Sequence, residues 1–300
     1  MRVFLTGATG FIGSRIVPEL IGAGHTVLGL TRSDAGAAAL IAAGAEAHRG
    51  DIEDLDSLRA GAAAADAVIH TAFDHDFSNF VDNCEKDRRV IAALGEVLKG
   101  SDRPLLITSG VGMGAGGHGQ PATEDRFDRS HPNPRIASEE AGEVLKAQGV
   151  DVRVIRLPQV HDTVKQGLIT PLVEITREKG VSAYVGDGAN RWSAAHVDDV
   201  AELYRLALEK GTKNARYNAV AEEAVTSRAI AEALGAGLNL PVVSLTSEEA
   251  PAHFGWMAMF AGLDMFASSA LTREALGWSP TGPGLIADLT AMDYSVVSRL

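Results

Sequence analysis

The stretch RVFLTGATGFIG, residues 2–13, decides how the rest of the chain is interpreted. Three glycines, Gly7, Gly10 and Gly13, separate an apolar segment typical of a short buried strand from an amphipathic segment typical of a helix. A turn that binds a phosphate needs one residue free to take positive φ, a second without a Cβ so that the backbone can approach the anion, and a third where helix packs on strand. The anion then lies on the unpaired N–H groups of the helix N-terminus. The sequence therefore predicts a dinucleotide-binding turn whose contacts are Gly7, Thr9, Gly10, Phe11, Ile12 and Gly13.

Composition restricts the class of protein. A chain of 300 residues with 46% hydrophobic and 22% charged residues is typical of a globular protein with a large core. The formal charge of −12 argues against a nucleic-acid surface, which needs clustered Lys and Arg. The single cysteine, Cys84, fits a reducing compartment, and its place in a helical pattern predicts a buried, inert thiol. Residues 1–13 lack the features of a signal peptide and residues 254–263 are too short to span a bilayer, so we expect a cytoplasmic protein without a membrane partner.

The second predicted strand, residues 25–31, ends at the pair Arg32-Ser33. A carboxylate at this place would accept a hydrogen bond from a ribose hydroxyl, whereas a guanidinium and a hydroxyl suit a 2′-phosphate. The pair therefore favours NADP(H) over NAD(H) as cofactor. The alternative is a solvated surface arginine, and Asp34 beside it weakens the positive field slightly.

Short apolar strands alternate with helices through the first half of the chain. The further predicted strands are 45–48, 66–73, 104–110 and 152–157, and the predicted helices are 14–20, 35–43, 55–64, 79–99 and 134–148. This alternation predicts an α/β fold with a doubly wound parallel sheet and helices on both faces. Ligands bind beyond the carboxyl ends of such strands, where the strand order reverses. The predicted cofactor contacts there are Asp51, for the adenine amino group, Ile52, on the adenine ring, and Thr71, Ala72 and Phe73.

The second half interleaves further elements. We predict helices at 168–179, 197–208 and 227–238, strands at 182–185 and 216–219, and a capping box over 246–249. The Gly-rich, polar segment 111–133 has no periodicity, and we interpret it as a flap over the site.

An ordered series of motifs resembles the short-chain dehydrogenase/reductase family, in its extended and atypical, epimerase/dehydratase-like branches. The series comprises the glycine turn, Arg32, Asp51-Ile52, residues 70–73, residues 156–161, Gly186-Asp187-Gly188, residues 196–201 and residues 271–280. The resemblance covers nearly the whole chain. It implies a Rossmann-type dinucleotide-binding domain over residues 1–160 and a smaller C-terminal α/β substrate lobe over residues 161–300, partly interleaved with it.

The same resemblance implies further contacts. The segment after the sixth strand would close over the nicotinamide through Leu157, Pro158 and Val160. Relatives commonly pair through the helices that correspond to residues 79–99 and 134–148, so a homodimer is expected.

One departure from the family concerns proton transfer. The family's usual acid is a tyrosine with a lysine four residues later, which lowers the phenol pKa. The four tyrosines are Tyr184, Tyr204, Tyr217 and Tyr294, and none has a lysine four positions on. Aligning Ser138 with the family's serine puts Arg135 in the tyrosine position and Glu139 in the lysine position. A guanidinium cannot act as a general acid near neutrality, but it can donate hydrogen bonds to a developing oxyanion.

Three residues are the predicted catalytic candidates. Ser109 ends the fifth strand, although a strict count puts Gly110 in the place of the family's serine. Arg135 is either an electrophilic clamp or a surface arginine at a helix start, and His161 could deliver a proton at neutral pH.

Other polar residues have weaker claims. Asp74 and His75 could reach the pocket, whereas His196 is expected to form structural hydrogen bonds. Since no histidine or cysteine has metal-ligand spacing, we predict no metal site.

The aromatic and methionine-rich segment 254–266 is expected to form lobe core or a dimer contact. The alternative is an adaptable apolar wall for a nonpolar substrate, which would favour a small hydrophobic carbonyl or imine over a nucleotide sugar.

The first hypothesis is therefore an NADP(H)-dependent oxidoreductase acting on a small carbonyl-type or imine substrate. The alternative is a non-catalytic NADP(H)-binding sensor or regulatory protein, because loss of the Tyr/Lys pair is expected of a retired enzyme. A sugar-nucleotide epimerase or dehydratase is the weaker third hypothesis, since epimerisation also needs an acid/base at the tyrosine position.

Overall fold

The structure is a computed structural model that describes residues 1–117 and 119–295. In chain order its strands are β1 (Arg2–Thr6), β2 (Thr26–Thr31), β3 (Glu46–Arg49), β4 (Ala67–His70), β5 (Leu105–Gly110), β6 (Val152–Leu157), β7 (Gln159–His161), β8 (Ser182–Val185), β9 (Arg191–His196), β10 (Arg216–Asn218), β11 (Glu222–Thr226) and β12 (Val242–Leu245). Its helices are α1 (Gly13–Gly22), α2 (Asp34–Ala42), α3 (Leu55–Ala63), α4 (Phe80–Leu98), α5 (Ile136–Ala147), α6 (Ile169–Lys179), α7 (Val197–Lys210), α8 (Ser227–Leu238), α9 (Ala250–Phe254), α10 (Ala258–Ala261), α11 (Ala270–Leu276) and α12 (Leu285–Ala291). Short 3-10 turns occupy Phe77–Asn79, Val111–Gly114 and Gly255–Met257.

Seven parallel strands form the central sheet in the order β10-β6-β5-β4-β1-β2-β3. The chain runs outward from β1 through β2 to β3, then returns to β4 on the other side of β1 and continues outward to β6. Strand order therefore reverses between β1 and β4, and a crevice opens beyond their carboxyl ends. Helices α1 and α7 cover one face, and α3, α4 and α5 cover the other, each face with its own apolar cluster. The predicted doubly wound α/β fold is confirmed.

The glycine turn has the geometry that its sequence predicts. Gly7 has a φ of 70°, and a Cβ there would lie 2.7 Å from the backbone nitrogen of Ala72. A Cβ on Gly13 would lie 2.1 Å from the carbonyl oxygen of Gly7. The turn is therefore packed directly against the chain that leaves β4, and no larger residue fits at either position.

A smaller lobe is built from the second half of the chain. It contains a three-stranded sheet (β11-β9-β7), a two-stranded parallel sheet (β12-β8) and a separate apolar cluster that includes Trp192, Phe254 and Phe260. β10 and α7 return to the central sheet and its face, so the two halves of the chain interleave. β7, β9, β11 and β12 were not predicted. β7 has only three residues, and β9 and β11 mix charged, polar and alanine residues without the apolar run of most central strands.

Two local predictions about helix starts are confirmed. The Thr246 backbone N–H donates to Glu249 and the Glu249 N–H donates back to the Thr246 hydroxyl, which forms the predicted capping box. His196 precedes α7 and accepts a hydrogen bond from the Asp198 N–H, the structural role expected for it. Among the described residues, the helices fall short of the length and apolarity that crossing a bilayer requires.

The segment predicted as a flap is tied down, and in this respect the prediction is wrong. Buried Arg156 on β6 donates to the carbonyl oxygens of Thr123 and Arg126 at 3.0 and 2.8 Å. The same guanidinium forms a fully buried, two-pronged ion pair with Glu139 of α5, at 2.7 and 2.9 Å. Glu124 accepts two hydrogen bonds from Thr272 in the C-terminal part of the chain. We call this segment the strap. It is fixed to both halves of the molecule, because its backbone carbonyl groups accept hydrogen bonds from buried Arg156 and its Glu124 side chain accepts hydrogen bonds from Thr272.

Replacing Glu139 by glutamine should lower the free energy of unfolding by about 3–5 kcal/mol, since Arg156 would stay buried without an opposing carboxylate. Its neighbour Glu140, which pairs with Arg88 at 2.6 Å on the half-exposed side of α5, provides the matched control. Glu140→Gln should cost less than about 1 kcal/mol. Urea unfolding followed by circular dichroism measures both, and equal losses would contradict the role assigned to the buried pair.

Candidate active site

The N-terminus of α1 is open for an anion. No side chain caps this helix, and its first turn carries no acidic residue. The N–H groups of Ser14 and Arg15 donate to the carbonyl oxygens of Gly10 and Ile12, whereas the N–H groups of residues 11–13 have no partner among the described residues, and the positive end of the helix dipole faces the glycine turn. These features fit the pyrophosphate of a dinucleotide, as the sequence predicts.

Two arginines stand where the adenosine end of such a cofactor would lie. The side chain of Arg32, just after β2, is 81% exposed, and its nearest acidic partner is Asp51 at 3.7 Å. Arg49, at the end of β3, donates to the carbonyl oxygen of Arg32 at 2.9 Å and lies 3.3 Å from Asp34. Ser33 caps α2 by accepting from the Gly36 N–H. Arg49 was not predicted as a cofactor contact. Its place opposite Thr31 follows from the pairing of β3 with β2, which the sequence does not show.

The other predicted cofactor contacts follow the same edge of the sheet. Asp51 accepts from the Glu53 N–H, and Ile52 packs against the core between β2 and α3. Thr71 and Ala72 both donate to Thr6 at the end of β1. Leu157, Pro158 and Val160 span the end of β6 and the start of β7. Their contact with a cofactor stays a prediction.

A buried hydrogen-bond network joins the ends of β1 and β4 to α4 and α5. His70 contacts the Thr6 hydroxyl through Nδ1 at 2.7 Å and Asp87 through Nε2 at 2.9 Å. The second carboxylate oxygen of Asp87 accepts from Ser138 and from Arg135, both at 2.6 Å. Because a carboxylate only accepts, His70 donates through Nε2 and accepts the Thr6 proton through Nδ1 in its neutral form.

Arg135 is held in this network and does not project from the surface as a free helix-start arginine. Its guanidinium donates to Asp87, to the Ser138 hydroxyl and, at 3.2 Å, to the carbonyl oxygen of Thr108. It lies 4.0 Å from the centre of the Phe73 ring. Two of its five N–H groups have no partner in the described part of the chain, so the guanidinium can donate further. The alternative of a surface arginine is therefore wrong.

The charge state of Asp87 follows from its partners. Burial alone raises the pKa of the Asp87 carboxyl, but the charge of Arg135 and the hydrogen bonds from His70 and Ser138 outweigh burial and hold that pKa well below its usual range. The ionised form is therefore the one that the fold stabilises.

Ser109 presents a buried hydroxyl that has no hydrogen-bond partner within the described residues. Its side chain shares the face of β5 with Ile107, which packs on the cluster beneath α5, so it lies on the side of the sheet that carries Arg135. The next residue, Gly110, has open space around its missing Cβ, with no atom within 4 Å. The open space at Gly110 lies on the opposite face of β5 from Ser109, because side chains alternate along a strand. The Ser109 hydroxyl is a buried polar group that still needs a partner, which a bound ligand or a water molecule can supply.

No tyrosine substitutes for the missing acid. Tyr204 lies fully buried on α7 with its hydroxyl 2.6 Å from that of Thr108, and burial raises the pKa of Tyr204 well above its usual value. Tyr184 and Tyr217 lie on β8 and β10, and Tyr294 follows α12. Glu139, in the lysine position, is turned toward Arg156 under the strap.

The His161 side chain is fully buried, whereas an acid that exchanges protons with solvent needs an accessible side chain. It contacts Asp288 through Nδ1 at 2.7 Å, and its Nε2 has no partner among the described residues. Burial lowers the pKa of His161, and the hydrogen bond to Asp288 opposes the shift only in part. Its proposed part in proton transfer stays a prediction.

The remaining candidates have structural partners. Asp74 forms an ion pair with Lys86 of α4 at 2.8 Å, and His75 packs edge-on against Phe73. Cys84 is buried as predicted, and burial raises the pKa of its thiol to about 11. No group of ligating side chains among the described residues could hold a metal ion.

Two residues of the network that positions Arg135, His70 and Asp87, were not predicted as site residues. His70 was read only as part of a strand end, and Asp87 was not considered. The available signal was an acidic residue inside the apolar stripe Cys84, Ile91 and Leu94 of α4, where a carboxylate must find a buried partner.

Replacing Asp87 by asparagine should lower the free energy of unfolding by about 3–5 kcal/mol at pH 7, because Arg135 would lose its carboxylate. A carboxyl with a depressed pKa stabilises the fold above its unfolded pKa of about 3.9 and loses that contribution as pH falls further. The deficit of the variant relative to the parent protein should therefore shrink between pH 4 and pH 2.5, as measured by urea unfolding. The exposed Asp82→Asn, on the same helix, is the control, and a deficit that stays constant with pH would refute the assignment.

The chain resembles known proteins over almost its full length. The profile described as the NAD dependent epimerase/dehydratase family matches residues 3–219. An uncharacterised protein of Schizosaccharomyces pombe is 46% identical over 98% of this chain and 100% of its own length. A decarboxylating sterol-4-alpha-carboxylate 3-dehydrogenase of Dictyostelium discoideum is 27% identical over 76% of this chain and 73% of its own. The UDP-glucose 4-epimerase of Thermotoga maritima, solved with UDP-glucose, superposes with a TM-score of 0.76 at 20% identity over 97% of both chains, a likeness of fold alone.

Proposed function

The chain belongs to the NAD dependent epimerase/dehydratase family, whose members use an NAD(P) cofactor, and we propose that it is an NADP(H)-dependent oxidoreductase acting on a small carbonyl or imine substrate. When bound, the cofactor supplies or accepts hydride at its nicotinamide ring. The observation that carries the proposal is Arg135, a guanidinium in the place of the family's tyrosine that is fixed by a buried carboxylate and has two N–H groups without a partner among the described residues.

The residues at the strand ends have separate roles in binding the cofactor and in stabilising the reacting oxygen. The α1 N-terminus and the glycine turn hold the pyrophosphate, and Arg135 donates to the substrate oxygen as negative charge develops on it. Because the Arg135 guanidinium does not release a proton near neutrality, the proton comes from another group. The Ser109 hydroxyl, buried without a partner, is the group we assign to pass it on from water.

A non-catalytic NADP(H)-binding sensor is the second candidate. Glu139 in the lysine position is committed to Arg156, and Tyr204 is sealed in the interior, so none of the family's usual proton machinery remains. A sugar-nucleotide epimerase ranks below both, because Arg135 cannot alternate between acid and base.

The preference for NADP(H) rests on Arg32 and Arg49 together. Both guanidiniums lie beside the N-terminus of α2, and their present carboxylate partners, Asp51 and Asp34, are 3.3–3.7 Å away on exposed side chains. Such loose surface pairs are weak, so a 2′-phosphate can replace the carboxylates and gain two charge-assisted hydrogen bonds.

Arg32→Ala and Arg49→Ala should each weaken NADPH binding by about tenfold or more and leave NADH binding nearly unchanged, since a hydrogen bond to a charged group contributes about 1.5–3 kcal/mol. Arg59→Ala, which removes a partly exposed arginine of α3, is the control. Cofactor fluorescence titrations give the two dissociation constants, for NADPH and for NADH, of each protein. Equal losses for both cofactors would refute the 2′-phosphate site.

A screen of NADPH oxidation with aldehydes, ketones, imines and UDP-sugars tests the function itself. We expect turnover with a carbonyl or imine, and a reduction of kcat/KM by about 10²–10³ in Arg135→Leu, which removes a donor to the oxyanion. NADPH affinity and the melting temperature of the variant serve as controls for binding and folding. Tight NADPH binding with no turnover on any class would favour the sensor, and unchanged turnover in Ser109→Ala would remove Ser109 from the mechanism.

We further propose a homodimer that pairs through α4 and α5, in a reducing compartment such as the cytoplasm. The two helices pack side by side and carry exposed apolar side chains, Val81 and Val144. The single buried cysteine is compatible with reducing conditions. Sedimentation equilibrium of the protein and of Val144→Asp checks the assembly: a monomeric parent protein would contradict it.

A further inference from the structure

A row of aromatic side chains crosses from the end of β4 to the C-terminal lobe. Phe73 lies 6.2 Å from Phe80, Phe80 lies 5.5 Å from Phe77, and Phe77 stacks on Trp256 at 4.7 Å with an interplanar angle of 14°. Trp256 in turn meets Phe260 edge-on at 6.3 Å. We call these five residues the aromatic row.

The row begins at the group that we assign to the substrate oxygen. The Arg135 guanidinium lies 4.0 Å from the centre of the Phe73 ring. A ligand whose oxygen accepts from Arg135 can contact the row through ring edges and through the ring faces that Arg135 and the Phe77–Trp256 stack leave open, and such contacts are favourable.

At the lobe end of the aromatic row, several large apolar side chains are exposed to solvent. Phe254, Met257 and Phe260 are buried in the lobe core, as predicted for segment 254–266. Trp256 is 44% exposed, and Met259 and Leu263, three and seven residues later, are about half exposed. A group of large apolar side chains left in water is typical of a binding surface.

Two carboxylates, Glu174 and Glu178, share the surface around Trp256 with Lys179, and the charge of Arg191 nearby in the lobe is neutralised. Arg191, at the start of β9, forms two hydrogen bonds of 2.5 and 3.0 Å with Asp264 and lies 3.5 Å from the centre of the Phe266 ring. This guanidinium would have to leave its carboxylate to bind a diphosphate, which argues against a sugar nucleotide and for an uncharged ligand.

Resting on the proposed function, we propose that the substrate is an extended aromatic ketone or aldehyde with at least two rings. Its carbonyl oxygen accepts from Arg135, and its distal ring stacks on the face of the Trp256 indole that Phe77 does not cover. In the reaction the carbonyl carbon gains a hydride from NADPH and the oxygen gains a proton from water, which gives the alcohol and NADP⁺.

Binding is measured first, independently of turnover. Trp192 and Trp278 are each 2% exposed, so a change in tryptophan emission on titration with 4-acetylbiphenyl reports mainly on Trp256. We expect saturable quenching, and at least tenfold weaker binding of the saturated analogue 1-(4-cyclohexylcyclohexyl)ethanone, as determined by calorimetry.

Variants then locate the site. Trp256→Leu should weaken 4-acetylbiphenyl binding by about tenfold, Trp256→Phe should restore most of it, and Leu271→Ala, at an exposed leucine of α11, should change nothing. NADPH affinity and the melting temperature should stay the same in all three. In turnover, Trp256→Leu should raise KM for the aryl ketone and leave kcat nearly unchanged.

The outcomes separate this inference from the proposed function. Equal binding of the aryl and saturated ketones, or Trp256→Leu binding 4-acetylbiphenyl as well as the parent protein does, would overturn the aromatic site even if other carbonyls are reduced. A changed oligomeric state in Trp256→Leu with unchanged ketone affinity would make the surface a dimer contact and overturn it too. Trp256-dependent ketone binding without any NADPH oxidation would uphold the aromatic site and overturn the oxidoreductase.

Discussion

The carboxylate of Asp87 fixes the geometry of the whole crevice. It is buried under the carboxyl end of the sheet, where an isolated charge would be strongly unfavourable, and it is tolerated only because His70, Ser138 and Arg135 all donate to it. These donors come from β4 and α5, and His70 extends the contact to Thr6 of β1. The two strands that flank the reversal of strand order are thereby locked to the helix that carries Arg135. A shift of any one element would leave a buried charge unpaired.

A second buried ion pair, between Glu139 and Arg156, lies about one helical turn after Arg135 and points toward the strap and not toward the crevice. Arg135 and Glu139, which occupy the family's tyrosine and lysine positions, each bind an opposite charge, the first toward the crevice and the second toward Arg156 and the strap. The family's arrangement uses a lysine to lower a phenol pKa, and neither group is present here. Instead the chain has a permanent cation at the crevice and a carboxylate that stabilises the strap. Arg135 and Glu139 thus favour electrostatic stabilisation of an oxygen over direct proton donation, and they leave the proton to a hydroxyl or to water.

Most of the regular part of the fold could be predicted from the sequence because β1, β2, β4, β5 and β6 are short apolar runs and helices such as α1, α4 and α7 have a clear periodicity. Gly7 and Gly13 could be given their roles since a turn this tight excludes a Cβ. Of the lobe strands β8 was predicted, but β7, β9, β11 and β12 were not, because strands such as β7 and β9 carry no distinctive pattern. Long-range pairing was equally hidden: Asp87 and Arg135 are 48 residues apart, and Arg156 meets the strap 30 and 33 residues away. Their partners are set by the packing of α4 against α5, which no local pattern encodes.

The two ends of the crevice favour different ligands, one charged and one uncharged. At the β2 and β3 ends, exposed guanidiniums and an open helix N-terminus favour phosphate. At the lobe end, the apolar side chains beside Trp256 are bordered by Glu174, Glu178 and Lys179, and Arg191 is neutralised by Asp264. A ligand with charge at both ends would gain at the first and pay a desolvation cost at the second, so a charged cofactor and an uncharged, flat substrate suit the crevice better than two nucleotides. Arg135 lies where these two regions meet, against Phe73. There the low polarity of the aromatic surroundings strengthens the hydrogen bonds that the guanidinium donates to a reacting oxygen.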